Sequence, residues 1–194
     1  MPASPTCPLP ARPRRPSTGL VLGAWPRLTI ALVALALAAA CPSAKPTPTA
    51  DRRSPYALGL PTARGDFYSL EQLRGRVALV TFFATWCFPC MLEVPNLVAL
   101  QRDFGDRGFQ VVGIGMDLEG RRVLEPFVES YGVGYPVLIA DDEVRAGRSP
   151  FGAIRQLPTT YVLDREGKVA AAYTGPANPQ GLRELVGRLV KQGG

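Results

Sequence analysis

The stretch that decides the fold is Val77-Ala78-Leu79-Val80-Thr81-Phe82-Phe83, followed after Ala84-Thr85 by Trp86-Cys87-Phe88-Pro89-Cys90 and then by Met91-Leu92-Glu93-Val94-Pro95-Asn96-Leu97-Val98-Ala99-Leu100. Its first part is short, apolar and rich in β-branched and aromatic residues, which predicts a central strand buried on both faces, as in a parallel sheet. Its last part has helical periodicity. Two cysteines therefore stand where a buried strand turns into a helix. A helix N-terminus carries about half a positive charge and unpaired N–H groups, so a thiolate at Cys87 is favoured there. Cys-x-x-Cys thiols fall well below the free value of about 8.5. Pro89 fits the first helical turn, where its missing N–H costs nothing. Cys90 lies one turn in and faces back toward Cys87. The pattern reads as a redox-active pair.

Outward from this centre, charge divides the chain. Of 22 basic and 16 acidic residues, seven basic ones (Arg12, Arg14, Arg15, Arg27, Lys45, Arg52, Arg53) and the single acid Asp51 lie in residues 1–53. From Ser54 onward fifteen remain of each sign, so the net charge of +6 belongs to the N-terminal arm. A neutral domain gives no electrostatic case for a nucleic-acid partner. The chain has four cysteines, of which only Cys87 and Cys90 lie in the globular part, which is not a disulfide scaffold. It has no histidine.

Residues 1–41 read as a basic arm plus a signal or anchor segment. Met1 to Arg27 is rich in Pro, Arg and small residues and lacks the apolar content for a core. Leu28 to Ala40 is a run of 13 residues, apolar but for Thr29, preceded by Arg27 and closed by Ala38-Ala39-Ala40. That is the shape of a secretory signal, and it is shorter than the roughly 20 residues that span a bilayer. Cys41 follows as it does at a bacterial lipoprotein cleavage site, although Ala38 stands where such sites usually carry Leu. Lipid attachment at Cys41, an uncleaved anchor and plain secretion all stand as readings, beside an incidental cysteine in an apolar segment. Residues 42–55 form a Pro-rich tether. The expected location is the extracytoplasmic face of a bacterial membrane, the periplasm, where disulfides persist.

Residues 56–194 make the remaining domain. Tyr56 to Tyr68 predicts a short hairpin turning at Arg64-Gly65-Asp66, and Ser69 to Leu73 one helical turn. Phe109 to Met116 reads as a second buried parallel strand, Val123 to Tyr131 as a helix, and Tyr135 to Ala140 as a short strand. Asp142 to Gly152 fits a helix or a loop equally. Leu157 to Asp164, the turn Arg165-Glu166-Gly167 and Lys168 to Thr174 predict an antiparallel pair. Leu182 to Val190 is a closing amphipathic helix. The order βαβαβ, hairpin, helix predicts an α/β fold, a mixed central sheet with helices on both faces.

Phe82-Phe83-Ala84-Thr85-Trp86-Cys87-Phe88-Pro89-Cys90-Met91-Leu92-Glu93-Val94-Pro95, together with Leu157-Pro158-Thr159-Thr160, resembles the thioredoxin superfamily, and within it the membrane-anchored TlpA/ResA branch. The resemblance spans about Tyr56 to Val190. It implies Cys87 as attacking nucleophile and Cys90 as resolving thiol, with no cofactor beyond their redox-active disulfide. Thioredoxins proper place a buried Asp six residues before the first cysteine. Thr81 stands there in this chain, and the resemblance implies Glu93 as the buried carboxylate coupled to the thiols instead. A carboxylate beside a thiolate raises both pKa values. An exposed helical Glu93 is the plain alternative. Pro95 predicts a kink, or a helix that begins late. The resemblance further implies a cis Leu157–Pro158 bond facing the cysteines, with backbone groups there free to pair with an extended substrate. An edge-strand proline is the alternative. Trp86, Phe88, Pro89, Leu157 and Thr159 are the candidate substrate-binding residues. Tyr135 and Phe88 read equally as an apolar rim or as core.

The leading functional reading is a thiol–disulfide oxidoreductase that reduces disulfides of cysteine-containing client proteins, apocytochrome c among the candidates. Its implied electron donor is a membrane thiol carrier of the DsbD or CcdA type. Oxidants of the DsbA type commonly place His between the cysteines, where this chain has Phe88 and Pro89. The runner-up is a peroxiredoxin-like thiol peroxidase, whose signature places Thr three residues before the reactive cysteine; here Ala84 holds that position. A copper-delivery module of the SCO type uses Cys-x-x-x-Cys and His, which the chain lacks. An anchored binding domain with a structural disulfide is the non-enzymatic reading. Zinc needs two further Cys or His ligands, and only Cys7 and Cys41 remain, both in the arm.

Overall fold

A computed structural model describes residues 54–192. The basic arm, the apolar run, Cys41 and nearly all of the Pro-rich tether lie outside the described residues. Among the described residues, no helix is long and apolar enough to cross a membrane.

Two sheets form. The smaller is the hairpin β1 (Gly59–Pro61) and β2 (Phe67–Ser69). It follows a 3-10 turn at Pro55–Ala57 and leads into another at Leu70–Leu73, capped by the Ser69 hydroxyl, which accepts from the Glu71 N–H. The main sheet has the order β5-β4-β3-β6-β7. Its strands are β3 (Val77–Phe83), β4 (Phe109–Gly115), β5 (Val137–Ile139), β6 (Thr159–Leu163) and β7 (Val169–Thr174). The first three are parallel, while β6 runs antiparallel to β3 and β7 antiparallel to β6. Every residue of β3 is buried, as a run apolar but for Thr81 requires of a strand covered on both faces.

The helices are α1 (Phe88–Phe104), α2 (Arg121–Ser130), α3 (Asp142–Arg145) and α4 (Pro179–Lys191). The crossovers β3-α1-β4 and β4-α2-β5 step in the same direction along the sheet. Right-handed connections then place both helices on one face. There Val77, Leu79 and Phe83 of β3 pack with Val94, Leu97 and Leu100 of α1, Phe127 of α2 and Val186 of α4. The alternate residues Ala78, Val80 and Phe82 face a second cluster with Tyr56, Leu60, Leu70 and Val144. Helices thus cover both faces, but unequally: three long ones on one side, and the single turn of α3 with the hairpin and 3-10 turns on the other. The ambiguous stretch Asp142 to Gly152 divides, with one turn of helix capped by the Asp141 carboxylate and then loop.

Helix α1 begins at Phe88 and runs through Pro95, which excludes a late start. Gly115 permits the close approach of α2: a Cβ there would stand 2.5 Å from both Cδ atoms of Leu124.

Candidate active site

The parallel strands β3 and β4 end at the same edge of the sheet, and antiparallel β6 begins there. The register pairs Phe83 with Gly115, and Phe82 with Thr159. The chain leaving β3 toward the cysteines, the chain leaving β4 at Met116, and Leu157-Pro158 entering β6 are thereby gathered at one place. The Leu157–Pro158 bond is cis.

Cys87 is the N-cap of α1, and its sulfur accepts the Cys90 N–H at 3.3 Å. Phe88 and Pro89 occupy the first turn, where the proline removes a donor that would have no intrahelical partner. The sulfurs of Cys87 and Cys90 are joined in a disulfide of 2.07 Å. The two cysteines open onto different spaces. Cys87 lines an outer groove of about 560 Å³ with Trp86, Phe88, Pro89, Met116, Ile154, Arg155, Gln156 and Leu157. Trp86 and Phe88 are each 72% exposed on its rim. Arg155 is its single charged lining residue. Thr159 is not part of it: the side chain is buried and its hydroxyl donates to the Gln156 carbonyl at 2.7 Å.

Cys90 instead lines an inner chamber with Thr81, Phe83, Glu93, Val94, Leu97, Phe127 and Tyr135. The chamber holds about 10 Å³, the lower limit for one water molecule. Glu93 is half-buried, and one carboxylate oxygen accepts the Ala177 N–H at 2.7 Å. Burial raises its pKa above the ordinary carboxylate value, and the Ala177 N–H opposes that shift without cancelling it. The exposed-helix alternative for Glu93 is thus removed. Thr81 is buried, and its hydroxyl accepts from Thr160 at 2.9 Å. Tyr135 is buried, so of the two proposed rim aromatics only Phe88 is on the rim. Burial, with the Glu93 charge adding to it, pushes the Tyr135 phenol up. Tyr135 also borders a separate cavity of about 210 Å³ beneath the β1–β2 hairpin, which contains neither cysteine.

Two residues that carry the site were not singled out from sequence. Met116 forms a groove wall, and Asp117 beside it is 1% exposed and hydrogen-bonded to Thr85. Their only sequence signal is position: they follow directly on a strand parallel to the one that leads to the cysteines. Among the described residues, no cluster of three or more His, Cys, Asp or Glu side chains is disposed to hold a metal ion.

Comparison with known proteins agrees with this geometry. Residues 55–172 match the AhpC/TSA family. The thiol-disulfide oxidoreductase ResA of Bacillus subtilis (strain 168) is 29% identical over 136 residues, covering 69% of this chain and 72% of that protein. The thiol:disulfide interchange protein HelX of Rhodobacter capsulatus is 29% identical over 150 residues, covering 77% of this chain and 81% of HelX. Among solved structures, a thiol:disulfide interchange protein of the thioredoxin family from Chlorobium tepidum TLS superposes with a TM-score of 0.63 at 32% identity. It covers 73% of this chain and 98% of its own.

Proposed function

The chain belongs to the AhpC/TSA family as a ResA-like thiol-disulfide oxidoreductase, and from that premise we propose that it reduces disulfides of extracytoplasmic client proteins, with Cys87 as nucleophile and Cys90 as resolving thiol. The observation that carries the assignment of roles is the division of the two sulfurs between spaces. Cys87, 6% exposed, lines the outer groove, and Cys90, 3% exposed, lines the smaller inner chamber with Glu93.

The Cys87 thiolate attacks one sulfur of the client disulfide. A mixed disulfide forms, and the client's other sulfur leaves as a thiolate and takes up a proton. Glu93 stands at the chamber to receive the Cys90 proton. The Cys90 thiolate then attacks Cys87 Sγ, closing the Cys87–Cys90 disulfide and releasing the second client thiol. The client gains two electrons and two protons; this chain loses them. A dithiol donor must restore the pair, and a membrane thiol carrier of the DsbD or CcdA type fits that requirement. Trp86, Phe88, Pro89 and Leu157 hold the client segment in the groove. Thr159 has its side chain turned inward and its backbone paired between β3 and β7, so the backbone of Leu157, ahead of the cis bond, is where an extended client segment can pair.

The apolar run that precedes Cys41 supports export and attachment to the membrane on the extracytoplasmic side. Heme-attachment cysteines of apocytochrome c are the client class that this reading favours. Cys41→Ser should abolish incorporation of labelled fatty acid; incorporation that persists would place the lipid elsewhere.

Equilibration of the purified chain with glutathione or dithiothreitol tests the direction. A reduction potential near or below about −270 mV is expected of a reductase, whereas a value near −120 mV would make the protein a disulfide donor. Cys87→Ser should abolish exchange, and Cys90→Ser should trap mixed disulfides with clients. Normal product release by Cys90→Ser would overturn the assignment of roles. Rapid peroxide consumption would favour a thiol peroxidase instead.

A further inference from the structure

The turn that delivers Cys87 is held by a residue from a different strand. Ala84 to Cys87 is closed by the Cys87 N–H donating to the Ala84 carbonyl at 3.0 Å. Within that turn the Thr85 N–H points at the Asp117 carboxylate, 3.0 Å from one oxygen and 3.1 Å from the other. The Thr85 hydroxyl donates to the same carboxylate at 2.6 Å. Asp117 is itself fixed from two sides. The Met116 N–H donates to the Phe83 carbonyl at 2.8 Å, extending the β3–β4 ladder by one residue. The Asp117 carbonyl accepts from Arg145 Nη2 at 2.8 Å, so the end of α3 braces it.

An Asp that is 1% exposed is costly to bury unless its oxygens are hydrogen-bonded. Here they are engaged by two donors of one residue, two positions before the nucleophile. Bonds to an ionised acceptor are short and strong, roughly twice a neutral pair. We propose that Asp117 is a positioning residue for disulfide exchange, acting through Thr85 to hold the Ala84–Cys87 turn in the geometry of attack.

The physical argument is directional. Displacement at a disulfide requires the attacking sulfur in line with the bond that breaks, and small misplacement costs large factors in rate. The client is held by the groove, whose walls come from Met116 and from Ile154 to Leu157. The nucleophile is held by the turn. Asp117 follows Met116 in the chain and bonds Thr85 in the turn, so it ties the wall to the nucleophile. Removing the tie leaves the apolar groove in place and frees Cys87 relative to it. The loss therefore falls on the rate of the chemical step and not on client binding.

This proposal rests on the exchange activity stated above. The full-length chain, pre-reduced so that its dithiol supplies both electrons, is mixed in single-turnover experiments with excess of a disulfide-bonded peptide. The saturating rate and the half-saturating peptide concentration are read for wild type, Thr85→Ala, Thr85→Ser, Asp117→Asn and Asp117→Ala. Thr85→Ala and Asp117→Ala are expected to lower the saturating rate at least tenfold with half-saturation within threefold of wild type. Asp117→Asn, which keeps the shape and one acceptor, is expected to fall between them and wild type. Thr85→Ser, which restores the hydroxyl, is expected to keep at least half the wild-type rate. Should Asp117→Ala fail to fold, the Thr85→Ala and Thr85→Ser pair decides. Saturating rates within twofold of wild type in Thr85→Ala and Asp117→Asn would overturn the proposal. No exchange by wild type would instead overturn the function on which it rests.

Discussion

Glu93 shows how one helical position joins stability to redox chemistry. Its carboxyl shares the inner chamber with Cys90, and burial raises its pKa above the ordinary 4.5. The folded chain then holds a proton that the unfolded chain has already released. Stability accordingly falls as pH rises from about 4.5 through the raised folded-state value, and levels off above it. Glu93→Gln removes that slope. In thermal unfolding of the oxidised protein between pH 4 and 7, the variant should gain on wild type as pH rises, and parallel curves would show that Glu93 titrates normally. In the reduced protein the same substitution should lower the Cys87 pKa, since it removes a negative charge that disfavours the thiolate. An unchanged thiol titration would remove Glu93 from the mechanism. Residue identity made this position readable three places after Cys90. Asp117 was not readable, because nothing in a lone Asp after a buried strand says that its carboxylate turns back toward Thr85.

The elements follow from local pattern wherever pattern is strong. The apolar run Val77–Phe83 is a strand buried throughout, and the cysteines sit at the turn into α1. Where local signals compete, packing decides. Pro95 is tolerated inside α1, whose Val94, Leu97 and Leu100 are held in the core. Asp142 to Gly152 keeps a single turn of helix because Asp141 caps it and Val144 is buried. The contact between β4 and α2 depends on Gly115, since any side chain there would collide with Leu124. Gly115→Val should destabilise the protein by about 1–3 kcal/mol through overpacking. Leu79→Ala, in the fully buried central strand, should cost about 2–5 kcal/mol. Urea unfolding measures both, and a loss below about 0.5 kcal/mol at either position would contradict the packing described.

At the scale of the molecule, one edge of the sheet collects everything the chemistry uses, and the rim there is apolar. Trp86 and Phe88 are exposed at 72% each, against the usual preference of large aromatics for burial. If they grip a protein client, Trp86→Ala and Phe88→Ala should each raise half-saturation for a protein disulfide about tenfold, a typical loss for a buried aromatic anchor. Reduction of a small disulfide such as oxidised glutathione should change little. Equal losses on both substrates would mean that the aromatics act on the cysteines and not on the client. By itself the sequence determined the α/β class, the strand-to-helix placement of the Cys87–Cys90 pair and the neutrality of the domain, because periodicity, capping chemistry and charge are local or additive properties. Only the tertiary structure decided that three long helices share one face, that the two sulfurs open onto different spaces, and that Asp117 braces the turn before Cys87. Those facts depend on which strand lies beside which and in what register, and such pairings join residues some thirty positions apart that no local pattern connects.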